Sequence, residues 1–410
     1  MFRVDASHSG IYDSPAPSLT AVKWRFRTKG RIFSSPTVAD GVVYIGSTDG
    51  KLYAVRTSDG SQAWSFATNG PVNSTPAVWG GLVFFSSIDG NVYALDAASG
   101  AQRWIFKTAG ERRFVAPGIH GIMPQTELMP DPYDVLLSSP TVEQGTVYVG
   151  SGDHNVYALD SRTGRLRWKF TTGNVVHASP AVSQGVVYIG SWDRYFYALD
   201  ARSGAVRWKF LTGDDTKIYN QIGIAGSATV ANGTVYFGCR DSHLYALDAA
   251  SGALRWVHDD HGSWVIGTPA VADGNVAFTT SDEKKFYVVD AATGKERLTV
   301  PYAMFAFSSP SIASGIAFFG TFDGRLYGVD VNSGKIAARF STDASSRNLP
   351  AHLDAKGDID PTTFRFGRTL DGVILGLNAI YDLGSIVGSP AIANGVLYIG
   401  GTDGVLYAVT

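Results

Sequence analysis

Short runs of alternating apolar and polar positions recur along almost the whole chain, each bounded by an Asp-Gly, Ser-Gly or Asn-Gly turn signal. Val43-Tyr44-Ile45 and Leu52-Tyr53-Ala54-Val55, parted by Asp49-Gly50, read as two strands at hairpin spacing. The full unit is SSPTVADGVVYIGSTDGKLYAV, then a turn and a tryptophan strand such as QAWSFAT. It predicts four strands, named A to D in chain order. The Ser-Pro step or its equivalent recurs at Pro36, Pro76, Pro140, Pro180, Ala228, Pro269, Pro310 and Pro390, at spacings of 40, 64, 40, 48, 41, 41 and 80 residues. A base period near 40 with four antiparallel strands per copy predicts propeller blades.

The last copy stops after its C strand at Val409-Thr410, and Val22-Lys23-Trp24-Arg25-Phe26 carries the D pattern that it lacks. Residues 22–28 are therefore expected to close the ring and remove its open edge. The prediction is an all-β chain: one eight-bladed β-propeller domain of four-stranded antiparallel blades over residues 1–410. A ninth blade is the alternative, because Thr369-Leu370-Asp371-Gly372 to Leu377 echoes a B-C hairpin. Trp24, Trp64, Trp104, Trp168, Trp208 and Trp256 share one slot in strand D, filled by Leu298 and Ala338 in the remaining copies. That regularity assigns these six rings to blade-to-blade packing.

Composition agrees with a turn-rich β protein: 47 glycines, 12% aromatic residues and only 17% charged residues among 410. A formal net charge of −2 leaves no general basic field for nucleic acid or an anionic membrane surface. Cys239 stands alone, which excludes an intrachain disulfide or a cysteine-based metal cluster. No apolar run is long enough to span a bilayer as a helix, and the chain is expected to be a monomer. The opening residues MFRVDASHSGIYDS contain no signal-peptide pattern. The compartment is read as periplasmic or extracellular if a leader has been removed, otherwise cytoplasmic.

Units such as VVYIGSTDGKLYAV and NVYALDAASGAQRW, with their Ala-x-Asp-x-x-x-Gly-x-x-x-Trp pattern, resemble the pyrroloquinoline-quinone-like propeller repeat over residues 22–410. The resemblance implies the fold. It leaves several functions open, since that family includes quinone-dependent dehydrogenases, BamB-type assembly lipoproteins and sensor domains. The dehydrogenases carry a vicinal cysteine pair against the cofactor, which one cysteine cannot form. No cofactor is therefore expected, with the quinone plus calcium as the lesser alternative, and no metal site.

Departures from the repeat fall on the face carrying the D-to-A and B-to-C loops. Insertions at about 109–137, 213–222 and 343–383 all lie in D-to-A connections, where long loops form lids or walls. Blades one, two, seven and eight keep Asp-Gly in the B-to-C turn. Blades three to six instead carry Asp153-His154, Trp192-Asp193-Arg194-Tyr195, Arg240-Asp241-Ser242-His243 and Asp282-Glu283-Lys284-Lys285. Every histidine except His8 maps to this face or to strand ends beside it. At the channel lip, His177 is the one titratable member of a set completed by Phe33, Asn73, Leu137, Ala225, Ile266, Phe307 and Val387.

These breaks predict a funnel on blades three to six that binds a small anionic molecule or an oligosaccharide. His177, His154, His120 and Tyr195 are the candidate acid-base groups. Arg112, Arg113, Arg194, Lys217 and Arg240 would hold an anion, with Trp192, Trp264, Asn220, Gln221 and His243 as further contacts. If catalytic, such a site suits lyase, isomerase or hydrolase chemistry. The alternatives are a BamB-like scaffold with a protein partner on the same face, and a quinone-dependent dehydrogenase.

Overall fold

The computed structural model describes residues 2–214 and 222–410. Among them, eight sheets form the blades of a closed propeller, each in the order A-B-C-D from the channel outward. Blade one, for example, is Thr37–Ala39, Val42–Ser47, Lys51–Arg56 and Gln62–Ala67. Strands B and C are buried almost throughout, whereas D alternates between exposed and covered positions. Sheet stacked on sheet thus supplies most of the core. The ring closes as the chain ends imply: Val22–Arg27 pairs antiparallel with Val405–Val409, with Trp24 opposite Ala408.

The tryptophan slot holds neighbouring blades together. Each of the six indole N–H groups donates to a carbonyl of the next blade's C-to-D turn; Trp168 Nε1, for instance, lies 2.9 Å from Ala201 O. The ring lies flat on the glycine of that turn. At Gly204 (φ 73°) a Cβ would stand 2.7 Å from the Trp168 ring, so only glycine admits the indole.

Around the channel, the residue before each proline step is Ser or Thr: Ser35, Thr75, Ser139, Ser179, Ser227, Thr268, Ser309 and Ser389. Backbone amides donate to the next blade's hydroxyl from Thr75 to Ser139, Ser139 to Ser179 and Ser179 to Ser227. The same link runs from Thr268 to Ser309, Ser309 to Ser389 and Ser389 to Ser35, all within 2.8–3.0 Å. These bonds satisfy buried amides that the inner strands cannot pair.

Three features depart from the sequence reading. Residues 369–377 form no ninth blade but lie in a helix, α2 (Leu370–Tyr381), whose N-cap Thr369 accepts from Gly372 N. Asp371-Gly372 thus opens a helical turn rather than a hairpin, and Val373, Leu377 and Ile380 face inward at helical spacing. A shorter helix, α1 (Asp343–Asn348), precedes it. The N-terminal residues enter the channel: Ile11–Tyr12 adds a parallel strand inside Ser311–Ala313, and Val182 N and Val230 N donate to Ala6 O and Ser7 O. His8 is buried there between Ala228 O and Thr141 Oγ1, each 3.1 Å away. Burial, with Arg3 next in weight, lowers it to about 3 and keeps it neutral.

The glycine-free B-to-C turns also have a structural reading. His154, Arg194, Ser242 and Lys284 adopt the same left-handed conformation, at φ 72°, 75°, 71° and 57°, as the glycines of the other blades. The turn carboxylate still accepts from a strand C tyrosine, as Asp193 does from Tyr197 at 2.8 Å.

Candidate functional site

The first and third insertions fold over the channel mouth and join each other through Met123 N and Arg368 O, 2.7 Å apart. Between them they build one apolar cluster. Phe114, Ile119, Ile122 and Met129 from the first insertion pack with Leu349, Phe364, Leu377 and Ile380 from the third, against Phe33, Ile266, Phe307 and Val387 of the lip. The chain's own apolar side chains therefore occupy the centre of the mouth. Below the lip remains a chamber of about 50 Å³, walled by the hydroxyl ring and lined also by Phe2 of the N-terminal segment.

His177 joins this lid to the barrel. Its Nδ1 is 2.7 Å from Asp134 Oδ1 and its Nε2 is 2.9 Å from Glu111 Oε1, with all three side chains nearly inaccessible. Phe114 N holds Asp134 Oδ2 at 2.8 Å, and Gly152 N holds Glu111 Oε1 at 2.7 Å. Burial works against the charged ring, but the Asp134 and Glu111 carboxylates outweigh it and raise His177 to about 10. It is an imidazolium with both N–H groups committed. His177, expected from its lip position as an acid-base group, thus has both ring nitrogens engaged with these carboxylates.

A second network lies beside it. The Arg240 guanidinium is sandwiched between Trp192 and Trp264, 4.6 and 4.0 Å from the ring centroids. Its Nη1 pairs with Asp131, whose Oδ1 is 2.9 Å from His120 Nε2. Burial would raise the Asp131 carboxyl, but Arg240 and then His120 hold it below the usual carboxylate range. Trp192 is also stacked on Phe114 at 4.4 Å. Arg240 and Trp192, expected as ligand contacts, are thus engaged with the lid.

The remaining candidates do not converge on this point. Arg194 reaches Asp214 (3.0 Å) and Thr212 O (3.2 Å) on the outer rim. Tyr195 faces Lys209, whose Nζ is 4.3 Å from the ring. His243 leans on Asp241 at 3.3 Å, and that contact, opposed by burial, raises its pKa. His154 occupies its own turn in blade three, and Arg112 and Arg113 are exposed on the lid. Lys217, Asn220 and Gln221 lie outside the described residues. The sequence reading passed over Glu111, Asp131 and Asp134 as partners; the available signal was acidic residues in the insertion nearest the one lip histidine.

An open cavity of about 220 Å³ remains at the edge of the lid, between the first insertion and blade six. His120, Tyr133, Trp264, Phe305 and Phe307 wall it, with Ser281 and Asp282 at its rim.

Asp260 breaks a further rule. Four residues after the tryptophan slot, five other blades place a threonine whose hydroxyl donates to a carbonyl of the B-to-C turn; Thr172 to His154 O (3.1 Å) and Thr212 to Arg194 O (3.0 Å) are examples. Asp260 is fully buried there, neither carboxyl oxygen has a hydrogen-bond partner, and His258 Nε2 stays 3.7 Å away. Burial, then Glu283, Asp259 and Asp241, raise it well above the usual carboxylate range. Asp260→Thr is expected to stabilise the protein by about 1–3 kcal/mol at neutral pH. The gain should shrink as pH falls toward about 4, the ordinary value, where the unfolded carboxyl is protonated too. Urea titrations of both proteins at pH 7 and pH 4.5 check this.

The mouth does not fit a quinone cofactor with calcium. Its space is taken by the apolar cluster. Cys239 is buried, with its thiol pushed up by that burial, and no cation-binding group of three or more His, Cys, Asp or Glu side chains exists among the described residues.

Solved structures share the fold at low identity. The chain superposes on BamB from Moraxella catarrhalis with TM-score 0.69 and 17% identity, covering 95% of this chain and 98% of that one. For a europium-containing methanol dehydrogenase the values are 0.72, 15%, 98% and 90%, and for the computationally designed Ika8 protein 0.68, 14%, 96% and 99%. No curated protein matches significantly in sequence. The family model described as outer membrane protein assembly factor BamB matches residues 20–123, 123–263 and 240–352. With matches running through most of its length and blades repeating the same docking pattern, the chain belongs to the BamB family of pyrroloquinoline-quinone-like propellers.

Proposed function

We propose that this chain is a non-catalytic propeller that docks a partner protein through its lid. The observation that carries the reading is the lid itself. It fills the mouth where a ligand funnel would open, yet turns Val115, Met123, Leu128, Phe366, Ile374 and Leu375 outward, with Leu128 71% and Leu375 59% exposed. Side chains that seal a channel need no apolar outer surface, whereas a docking face does. Arg112, Arg113, Arg365 and Arg368 lie exposed in the same two insertions and suit the rim of such an interface. The assembly role named in the family description supports the same reading. Acid-base chemistry is less favoured, because His177 is held as a doubly paired cation.

The test is site-specific photocrosslinking in the source cell from positions 128 and 375, with position 206 on an outer strand as control. One partner captured from both lid positions and not from 206, and lost in Leu128→Glu/Leu375→Glu, is the expected result. The exposed positions predict a melting temperature within about 2 °C of the parent. Capture equal at all three positions, or unaffected by the double substitution, would overturn the reading.

A further inference from the structure

We propose that the cavity at the blade-six edge of the lid is a binding site for a small organic ammonium ion. The inference goes beyond the docking reading and uses a different surface. Tyr133, Trp264, Phe305 and Phe307 give the cavity an aromatic wall. Tyr133 meets Trp264 edge-on at 5.8 Å and Phe307 at 6.5 Å, and Phe305 lies 6.2 Å from Phe307. Rings set at such angles present both faces and edges to one small volume, and aromatic faces attract cations.

Charge decides the sign of the ligand. The formal charge at the rim is Asp282, which is exposed and accepts from Ser281 Oγ at 2.7 Å. Of the cations near it, Lys285 is paired with Glu283 at 3.2 Å and Arg240, behind Trp264, with Asp131, while Lys284 lies exposed in the same turn. Among the described residues no Lys or Arg lines the cavity, and His120 in its wall is paired with Asp131. The Tyr133 phenol feels the same field: burial first, then Tyr381, Asp131 and Asp282, push its pKa upward, against a smaller opposing pull from Arg240. A carboxylate beside aromatic walls favours a monocation over the anion expected from the sequence. At about 220 Å³ the space is below the usual range for drug-sized ligands, so it suits an alkylammonium head and not a sugar chain.

Choline and its uncharged isostere 3,3-dimethylbutan-1-ol separate charge recognition from simple apolar filling. Isothermal titration of the full chain should give saturable choline binding, with the neutral alcohol at least about tenfold weaker. Asp282→Asn should weaken choline about tenfold and leave the alcohol unchanged, and Phe305→Ala should weaken both. Asp282 is exposed and makes one side-chain hydrogen bond among the described residues, so its variant should melt with the parent. Equal affinity for the two probes, unchanged choline binding in Asp282→Asn, or no saturation by about 10 mM choline would overturn the proposal.

Discussion

Replacing His177 with alanine is expected to destabilise the protein by roughly 3–5 kcal/mol, because it leaves the Asp134 and Glu111 carboxylates buried without their cation. The pH dependence identifies the cause. With the folded ring at about 10, above its ordinary value of about 6.5, the ring's stabilising contribution is complete below pH 6.5 and is lost as pH rises toward 10. Denaturation midpoints of the parent should therefore fall across that window. In His177→Ala this component disappears. A flat difference between the two proteins across pH 6–10 would show that the ring is held by packing alone. Since the triad fastens residues 109–137 to the barrel, proteolysis in that insertion should accelerate in the variant.

Trp168→Ala should cost a further roughly 3–5 kcal/mol, for a different reason. The indole is buried against Tyr148, with ring centroids 5.9 Å apart, and against the bare backbone of Gly204, and its N–H bonds Ala201 O. Truncation opens a seam between blades three and four and strands a carbonyl. In a closed ring each blade relies on two neighbours, so one broken seam should lower the melting transition of the whole domain. Calorimetry checks this: a single lowered transition is expected, and two separate transitions would show that the blades unfold independently.

The repeat made the architecture legible. A period near 40, the tryptophan slot and the unfinished last blade each fix a local pattern, and strand pairing follows from alternation within a few residues. Ring closure by residues 22–28 could be read because Val22–Arg27 keeps the same alternation. The candidate site was legible only as a location. His120, Trp192, Trp264, Arg240 and His177 do gather near the channel mouth, but as ligands for one another and for the lid. Their partners are far away in sequence: Asp134 is 43 residues from His177, Glu111 is 66, and Asp131 is 109 from Arg240. No periodicity links a loop carboxylate to a base in another blade.

By itself, then, the sequence determined the four-stranded blade, the order of its strands, the seam residues and the face that carries the variation, because these are written in short-range alternation and repetition, whereas the helix at Leu370–Tyr381 removed the ninth-blade alternative. Only the tertiary structure decided that the channel is closed. Insertions without a repeat carry no register, so whether Phe114, Phe364 and Leu377 form walls or a plug depends on which apolar surfaces they meet in space. The same holds for the charge on His177, set by two carboxylates that meet it only when the lid folds down, and for the N-terminal strand inside blade seven, where two residues, too few for a sequence pattern, pair with Ser311–Ala313.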